Sequence, residues 1–287
     1  MEQIDEKIDQ LIAEGKYLEP MDKVLLARHP MRPKITEYIE ALFTDFFEQK
    51  GDLLGKEDAS IFGGIGLFHD IPVTVIGHRK GNTLEENMAY NFGMPGPEGY
   101  RKALRLMKQA EKFSRPIITF IDTPGAYPGM EAEMYGQSRA IAENLAAMSS
   151  LKVPVISIVT GEGSSGGALA IGVANKVFML EHAVYSILSP EGFASILWSD
   201  ASRKEEASQV MKLTAEDLLE FGVIDDIVPE PLGGIHRAPN KCFEAIDRML
   251  YKEIKAYKNK KGTEIANERY YKFRNMDEMY RLVEEKA

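Results

Sequence analysis

The sequence is short of cysteine, of long apolar stretches and of positive charge. Its 287 residues include a single cysteine, Cys242, which can neither form an intramolecular disulfide nor build a cysteine-based zinc site alone. No run of about 18 apolar residues occurs, and no basic segment followed by an apolar one opens the chain, so we expect neither a membrane span nor a secretory signal. A cytoplasmic protein held together by packing is therefore predicted.

The charge balance is acidic, because 35 lysines and arginines against 44 aspartates and glutamates give a formal charge of −9. Such a chain has no domain-wide basic surface, so neither nucleic acid nor a membrane is expected as a partner. The five histidines show no metal-ligand spacing, and no metal is expected in this chain. What is present, 44% hydrophobic and 28% charged residues, is typical of a soluble globular protein.

The first part of the chain has a helical pattern. Apolar residues recur at three- and four-residue spacing from Ile35 to Phe47, which predicts one amphipathic helix inside an N-terminal helical extension, residues 1–55. Two apolar runs, 61–68 and 73–78, then flank a turn and predict a hairpin.

A unit of strand, loop and helix follows twice. Strand 117–121 leads into a loop rich in proline and glycine, and strand 155–159 leads into a glycine-rich loop, each followed by a helix; further strands are predicted at 176–180 and 223–228. Apolar strands that alternate with helices predict an α/β fold with a largely parallel, buried sheet. We expect one domain with its core at residues 56–235 and a helical C-terminal region at 236–287.

The two loops, 122–129 and 161–167, follow the carboxyl ends of neighbouring strands, which is where ligands bind in open α/β sheets. Two prolines and two glycines make the first loop rigid and allow a close approach. Side by side, the two loops would wall a groove.

The glycine-rich loop leaves three interpretations open. Gly161, Gly163 and Gly166 fit a dinucleotide fingerprint with Glu181 after the next strand, although the helix between them would be unusually short. Ser165 lies in a G-x-S-x-G pattern and would be the nucleophile of a serine hydrolase, with Asp225 or Asp226 and then His236 following in triad order. In the third interpretation the peptide N–H groups of Gly166 and Gly167 stabilise an oxyanion or enolate.

Several motifs taken together decide among these interpretations. The chain closely resembles, from about Val24 onward, the family of carboxyltransferase α subunits of bacterial acetyl-CoA carboxylase. The motifs that carry the resemblance are Leu26-Ala27-Arg28-His29-Pro30, Asn91-Phe92-Gly93-Met94-Pro95, the helix that opens Pro97-Glu98-Gly99-Tyr100, both loops, Ser189-Pro190-Glu191-Gly192-Phe193 and Pro229-Glu230-Pro231-Leu232-Gly233-Gly234.

The resemblance implies a crotonase-like fold of repeated ββα units with helical additions at both ends. It also implies the reaction, in which CO2 passes from carboxybiotin on a biotin carboxyl carrier protein to acetyl-CoA, giving malonyl-CoA in the first step of fatty acid synthesis. The implied partners are a zinc-ribbon β subunit, without which the chain is inactive, the carrier protein and biotin carboxylase, in an α2β2 carboxyltransferase. Any zinc would lie in the β subunit.

The resemblance also implies roles for particular residues. Gly166 and Gly167 would be the catalytic pair whose amides hold the ureido oxygen of biotin. The residues around them would bind the carboxybiotin co-substrate, namely Gly125, Ala126, Tyr127, Gly163, Ser164 and Ser165.

The chain departs from the family pattern at a few positions. Leu53 and Tyr135 stand where the family usually has arginine, and Asn82 begins a stretch where it usually has a basic helix. Ser164 replaces a glycine, and we expect a positive φ there that would strain the backbone and move the amide donors. These changes suggest a paralogue that carboxylates another acyl-CoA in a specialised pathway.

Overall fold

The short apolar runs form one mixed sheet of eight strands in the computed structural model, which describes residues 2–276. The sheet order is β1-β2-β3-β4-β5-β6-β8, with β7 paired to the end of β5. The first three strands are antiparallel and the pairs from β3 onward are parallel. The strands are β1 (Thr44–Glu48), β2 (Ile61–Phe68), β3 (Ile71–His78), β4 (Ile117–Thr123), β5 (Val155–Ser164), β6 (Lys176–Leu180), β7 (Val184–Ser186) and β8 (Asp226–Val228).

Helices cover the sheet, and further helices precede its first strand and follow its last one. None of those in the described part of the chain is long and apolar enough to cross a membrane. They are α1 (Glu2–Ala13), α2 (Pro20–Ala27), α3 (Ile35–Leu42), α4 (Leu84–Ala89), α5 (Pro97–Lys112), α6 (Met130–Met134), α7 (Gln137–Ser150), α8 (Ser165–Leu169), α9 (Pro190–Trp198), α10 (Lys204–Val210), α11 (Ala215–Glu220), α12 (Pro239–Tyr257) and α13 (Gly262–Arg274), with short 3-10 turns at Asn91–Gly93, Ala201–Arg203 and Ile235–Arg237.

The central strands β4 and β5 form the middle of the core. Nearly every residue of both is buried, as expected for parallel strands with helices on both faces. The hairpin prediction is confirmed: β2 and β3 pair in register around a two-residue turn, in which His69 and Asp70 have φ of 47° and 62°.

The single helix predicted over residues 35–47 is wrong. Helix α3 ends at Leu42, and β1 then pairs antiparallel with β2, with Phe47 opposite Ile65. This pairing needs a glycine in the partner strand, because a Cβ on Gly64 would lie 2.1 Å from the Phe47 carbonyl oxygen. The helical spacing in the first half of the segment gave no sign of β1, because its partner strand β2 lies outside the segment.

Three other boundaries differ from the prediction. The helix expected after the first loop is divided into α6 and α7 at Gly136, which has a φ of 85°. Strand β5 runs on to Ser164, so Gly161 and Gly163 lie in the strand rather than in a loop. The strand expected at 223–228 is only the three residues of β8. The predicted C-terminal helical region is present as α12 and α13, and its last residues, from 277, lie outside the described residues.

Candidate functional site

The two loops predicted to wall a groove do meet, at backbone contact. A Cβ placed on Gly167 would lie 2.6 Å from the backbone nitrogen of Ala126 and 2.6 Å from the carbonyl carbon of Gly125. No side chain fits between the loops there, so only glycine permits this approach. The chain thus brings Gly125 and Ala126 of the first loop against the start of α8.

The first loop is held firmly in this position. The Thr123 hydroxyl donates to the Gly125 carbonyl at 2.8 Å and accepts the Gly125 N–H at 3.0 Å. The Tyr127 N–H donates to the carbonyl of Pro95, and Gln137 Nε2 donates to the carbonyls of Pro95 and Tyr127 at 2.8 and 3.0 Å. These bonds fix the backbone of the loop before any ligand arrives.

Backbone donors from both loops remain open. Gly166 and Gly167 lie in the first turn of α8, where N–H groups have no acceptor inside the helix, and the Ser164 side chain does not cap them. The Ala126 N–H donates to no acceptor within residues 2–276. Open donors from two chain segments therefore lie side by side at the carboxyl edge of the sheet. Backbone donors of this kind bind an oxygen that carries negative charge.

A chain of charged side chains lies directly beneath the two loops. Lys80 Nζ is 2.6 Å from Asp122 Oδ1 and 3.3 Å from Glu162 Oε2. Glu162 Oε1 is in turn 2.7 Å from Arg28 Nε, and Arg28 Nη1 is 2.9 Å from Glu191 Oε1. The cluster links β3, β4, β5, α9 and the end of α2, and sequence reasoning missed it because its members are scattered over 164 positions, from residue 28 to residue 191.

Each partner keeps the other charged. Burial raises the pKa of Asp122, but the nearby Lys80 and Lys34 ammonium groups outweigh burial and bring it below its ordinary value. Burial lowers the pKa of Lys80, and the Asp122 and Glu162 carboxylates more than reverse that effect. At the neighbouring His78 burial outweighs the attraction of the Asp122 carboxylate and lowers the pKa to about 4.

Known proteins that are similar in sequence to this chain carry one description. Residues 1–277 match the family described as acetyl co-enzyme A carboxylase carboxyltransferase-like. The chain is 55% identical over 267 residues to the acetyl-coenzyme A carboxylase carboxyl transferase subunit alpha of Geobacillus kaustophilus, covering 93% of this chain and 82% of that protein. It is 57% identical over 257 residues to the subunit of the same name from Clostridium botulinum, covering 90% of this chain and 94% of that one.

The chain belongs to the family of acetyl-CoA carboxylase carboxyltransferase alpha subunits. The resemblance read from the motifs is confirmed. These relatives favour acetyl-CoA carboxylation over both alternatives, the serine hydrolase and the paralogue that carboxylates another acyl-CoA.

Solved structures support the fold of this alpha-subunit family. Transcarboxylase 12S with hydrolysed methylmalonyl-coenzyme A aligns at a TM-score of 0.65 and 18% identity, over 82% of this chain and 45% of that chain. A Pseudomonas malonate decarboxylase hetero-tetramer in complex with coenzyme A aligns at a TM-score of 0.62 and 16% identity, over 80% of this chain and 92% of that chain. The predicted crotonase-like α/β fold is confirmed.

The geometry also removes the serine hydrolase interpretation. His236 Nε2 lies 3.2 Å from Asp5 Oδ1, Asp225 is paired with two lysines, and Asp226 is exposed. No hydrogen bond joins Ser165 to a histidine within the described residues. The triad order in the sequence therefore does not become a triad in the alpha subunit.

The dinucleotide interpretation is wrong as well. Helix α8 has only five residues, and the Glu181 carboxylate accepts the Glu230 N–H at 2.9 Å instead of facing the glycines. A dinucleotide unit needs a full crossover helix and an acidic side chain that is free to bind ribose.

The strain expected at Ser164 lies one residue further along. Ser164 has φ −115° and ψ 132°, an ordinary extended conformation with a buried side chain, whereas Ser165 has a φ of 55°. A serine at position 164 is therefore compatible with the backbone, and the prediction of a positive φ there is wrong. The strained residue is the exposed Ser165 at the start of α8.

The other departures from the family pattern lie at the surface. Leu53 is 78% exposed, the Asn82 N–H donates to Glu86 at 2.7 Å, and Lys56 Nζ lies 4.3 Å above the ring of Tyr135. A positive charge thus remains beside Tyr135 even though the arginine is missing. Whether these positions affect acyl-CoA binding stays a prediction.

An apolar groove of about 420 Å³ opens beside the glycine pair. Sequence reasoning missed it, since its far wall comes from helix α13, about a hundred positions along the chain. Its lining includes Ser165, Gly166, Leu169, Ile187, Leu218 and Phe273.

Asp5, His29 and His236 form a separate cluster with ligand atoms within 4.8 Å of one another. The two imidazole rings stack 4.0 Å apart, and the Met31 N–H donates to His29 Nδ1 at 3.2 Å. Neutral His29 therefore carries its proton on Nε2, which lies 3.5 Å from Asp5 Oδ2. The hydrogen bond between His236 Nε2 and Asp5 Oδ1 links α1 to the core.

Proposed function

We propose that this chain is the α half of a biotin-dependent carboxyltransferase. With a zinc-ribbon β subunit it transfers CO2 from carboxybiotin to acetyl-CoA, giving malonyl-CoA in the first step of fatty acid synthesis. The observation that carries the proposal is the close approach of two segments with open backbone donors, where Gly167 contacts the Gly125–Ala126 backbone. Family membership selects carboxyl transfer among the reactions that such donors serve.

Carboxybiotin, when bound, supplies the CO2. The contribution of this chain is to hold the oxygen that gains negative charge as the carboxyl group leaves, with the amides of Gly166 and Gly167 as donors. Because the loops are fixed in advance, these donors need no rearrangement during the reaction, which is the condition under which hydrogen bonds accelerate it most.

The surrounding residues would bind the rest of the co-substrate. The groove beside Ser165 and Gly166 is apolar and of a size that accepts a small ring system, while Gly125 and Ala126 contact the other glycine of the pair, Gly167. Gly163 lets the ring of Tyr185 close the groove from below, since a Cβ there would lie 2.8 Å from Tyr185 Cδ2. Ser164, with its side chain buried next to the glycine pair, supports the α8 start.

The edge that carries the site also presents apolar side chains to solvent. Ile187, Ile196 and Leu197 are 75%, 78% and 57% exposed, and Ile187 lines the groove itself. Exposed apolar side chains next to a site favour a protein partner. We assign this surface to the β subunit, in an α2β2 assembly in the cytoplasm that also meets the biotin carboxyl carrier protein and biotin carboxylase.

The test is to purify the chain alone, the β subunit alone and the co-expressed complex, and to measure transfer of the carboxyl group from malonyl-CoA to free biotin. We expect turnover only from the complex. An intact complex that transfers no carboxyl group from malonyl-CoA would overturn the proposal, and activity with other carboxyacyl-CoAs would then indicate the paralogue instead.

A further inference from the structure

Strands β4 and β5 lose their regular pairing just before the two loops begin. Ile121 pairs with Val159 and Thr123 with Gly163, so Asp122 alone faces three residues of β5. Such a bulge frees backbone groups that a regular ladder would satisfy, and it also redirects the strand that follows. Here the redirected strand is the one that leads into the glycine pair.

Side chains satisfy two of the freed groups. Asp122 Oδ1 accepts the Glu162 N–H at 3.0 Å, and Arg32 Nε donates to the Thr160 carbonyl at 2.5 Å. The fit around the carboxylate is close, because a Cβ on Gly161 would lie 2.4 Å from Asp122 Oδ1. Asp122 therefore takes the place of a ladder partner for β5.

The Asp122 carboxylate is stabilised by a lysine that follows a third strand, β3. Lys80, just after β3, reaches Asp122 with Nζ to Oδ1 at 2.6 Å, and the two side chains are only 16% and 13% exposed. A hydrogen bond between a charged carboxylate and an N–H group is shorter and stronger than one between neutral groups. The ammonium group thus keeps Asp122 in the form that holds β5 best.

Asp122 has a distinctive place in the chain. It lies at the end of β4, just before the loop that contains Gly125 and Ala126, and its carboxylate holds the strand that leads to Gly166 and Gly167. We propose that Asp122, paired with Lys80, is a positioning residue that sets the spacing between the amides of the two loops. This inference rests on the proposed function of those amides and adds a residue to it.

The experiment compares D122A and D122N in the complex with the β subunit. D122A leaves the Glu162 N–H without an acceptor, so we expect kcat for carboxyl transfer to fall about ten- to a hundredfold, the cost of displacing a preorganised group by about 1 Å. KM for malonyl-CoA should change less than about threefold, because the amides stabilise developing charge rather than bind the ground state. D122N keeps an oxygen acceptor and should recover a large part of the lost kcat.

Asp225 offers a matched control on the same sheet. It accepts the Val177 N–H at 2.7 Å and pairs with Lys176 and Lys272, so it is also a carboxylate that holds a strand and is stabilised by lysine. It does not contact the glycine loops in the described part of the chain. D225A should lower the melting temperature at least as much as D122A and leave kcat within about twofold of the wild type.

Amide hydrogen exchange gives a readout that does not depend on turnover. D122A should speed exchange in peptides that cover residues 122–129 and 161–169, and D225A should not. Equal loss of kcat in D122A and D225A, or unchanged kcat and exchange in D122A, would overturn the positioning role. A wild-type complex without turnover would instead overturn the proposed function, and the exchange comparison would still decide whether Asp122 sets the loops.

Discussion

Two buried charged groups in this chain, Arg269 and Asp122, both form hydrogen bonds with the backbone, but the backbone around them differs. Arg269 on α13 is fully buried and donates to the carbonyls of Met148, Leu151 and Val153 at 2.7 to 2.8 Å, and to Asn175 as well. Asp122 holds a strand end in the same manner, but the amides above it remain open. At the first place three backbone carbonyls share one charged donor, and at the second the unused donors form the site.

The comparison suggests that different parts of the fold govern stability and reaction rate. Around Arg269, three hydrogen-bonded carbonyls tie α13 to the turn after α7, so that region should govern stability. Around Asp122, incomplete satisfaction leaves donors preorganised for a ligand, so that region should govern rate. Substitutions in the two regions, with stability and reaction rate measured separately, test this assignment.

The largest effect is expected from R269M. Three buried carbonyls would lose a charged donor, and we expect the free energy of unfolding to fall by about 3–5 kcal/mol, the range for breaking a buried charged interaction. Denaturant titration of the folded chain measures this loss. Arg274 on the same helix is exposed, and R274M serves as the control. If the two variants lost similar stability, Arg269 would not be the group that fixes α13.

The second largest effect is expected on kcat, from substitution of the glycine pair. In G167A the new Cβ would lie 2.6 Å from the Ala126 nitrogen, so one loop must move, and we expect kcat to fall about a hundredfold or more, as when an oxyanion donor is removed. At Gly166 a Cβ would meet only the Ile141 side chain at 3.6 Å, an ordinary contact. G166A should therefore lose much less kcat than G167A in carboxyl-transfer assays, and the reverse order would contradict the packing argument.

A smaller effect should appear with pH. Burial lowers the pKa of His78 to about 4 in the folded chain, whereas the unfolded chain titrates near the ordinary 6.5. Below pH 6.5 the unfolded state therefore binds more protons, and stability is lost as the pH falls from 6.5 through 4, by at most about 1.4 kcal/mol per pH unit from this residue. Burial also lowers the pKa of His29 and His182, which act in the same direction.

The variant H78Q separates the contribution of His78 to the pH dependence of stability from those of His29 and His182. Its unfolding free energy, measured at intervals from pH 7.5 to 4.5, should fall less steeply than that of the wild type. Parallel slopes for H78Q and the wild type would mean that His78 binds its proton equally in both states.

Local patterns predicted the parts of this fold that depend on local chemistry. Alternating apolar runs gave the hairpin, and the glycine-rich loops gave the two segments that meet at the site. The predictions failed where a distant partner decides the outcome. Strand β1 forms because Gly64 admits the Phe47 backbone, and no spacing within residues 35–47 carries that information.

The same limit applies within the site. The glycine pair is visible in the sequence as a motif, whereas Asp122 reads as an ordinary residue at the end of a strand. Its role arises from the bulge in β5 and from Lys80, and both depend on how strands align. Helix α13 reaches the groove through Phe273 for the same reason.

The smallest effect is expected from S165A. The sequence allowed Ser165 to be a nucleophile. In the described residues, however, Ser165 has no histidine partner, and its hydroxyl is exposed at the edge of the groove. Alanine keeps the Ser165 N–H and adds no bulk, so kcat for carboxyl transfer should stay within about threefold of the wild type, although the positive φ costs alanine and serine alike. Loss of all turnover in S165A, with the complex intact, would mean that the hydroxyl takes part in the chemistry and that backbone donors alone do not account for the site.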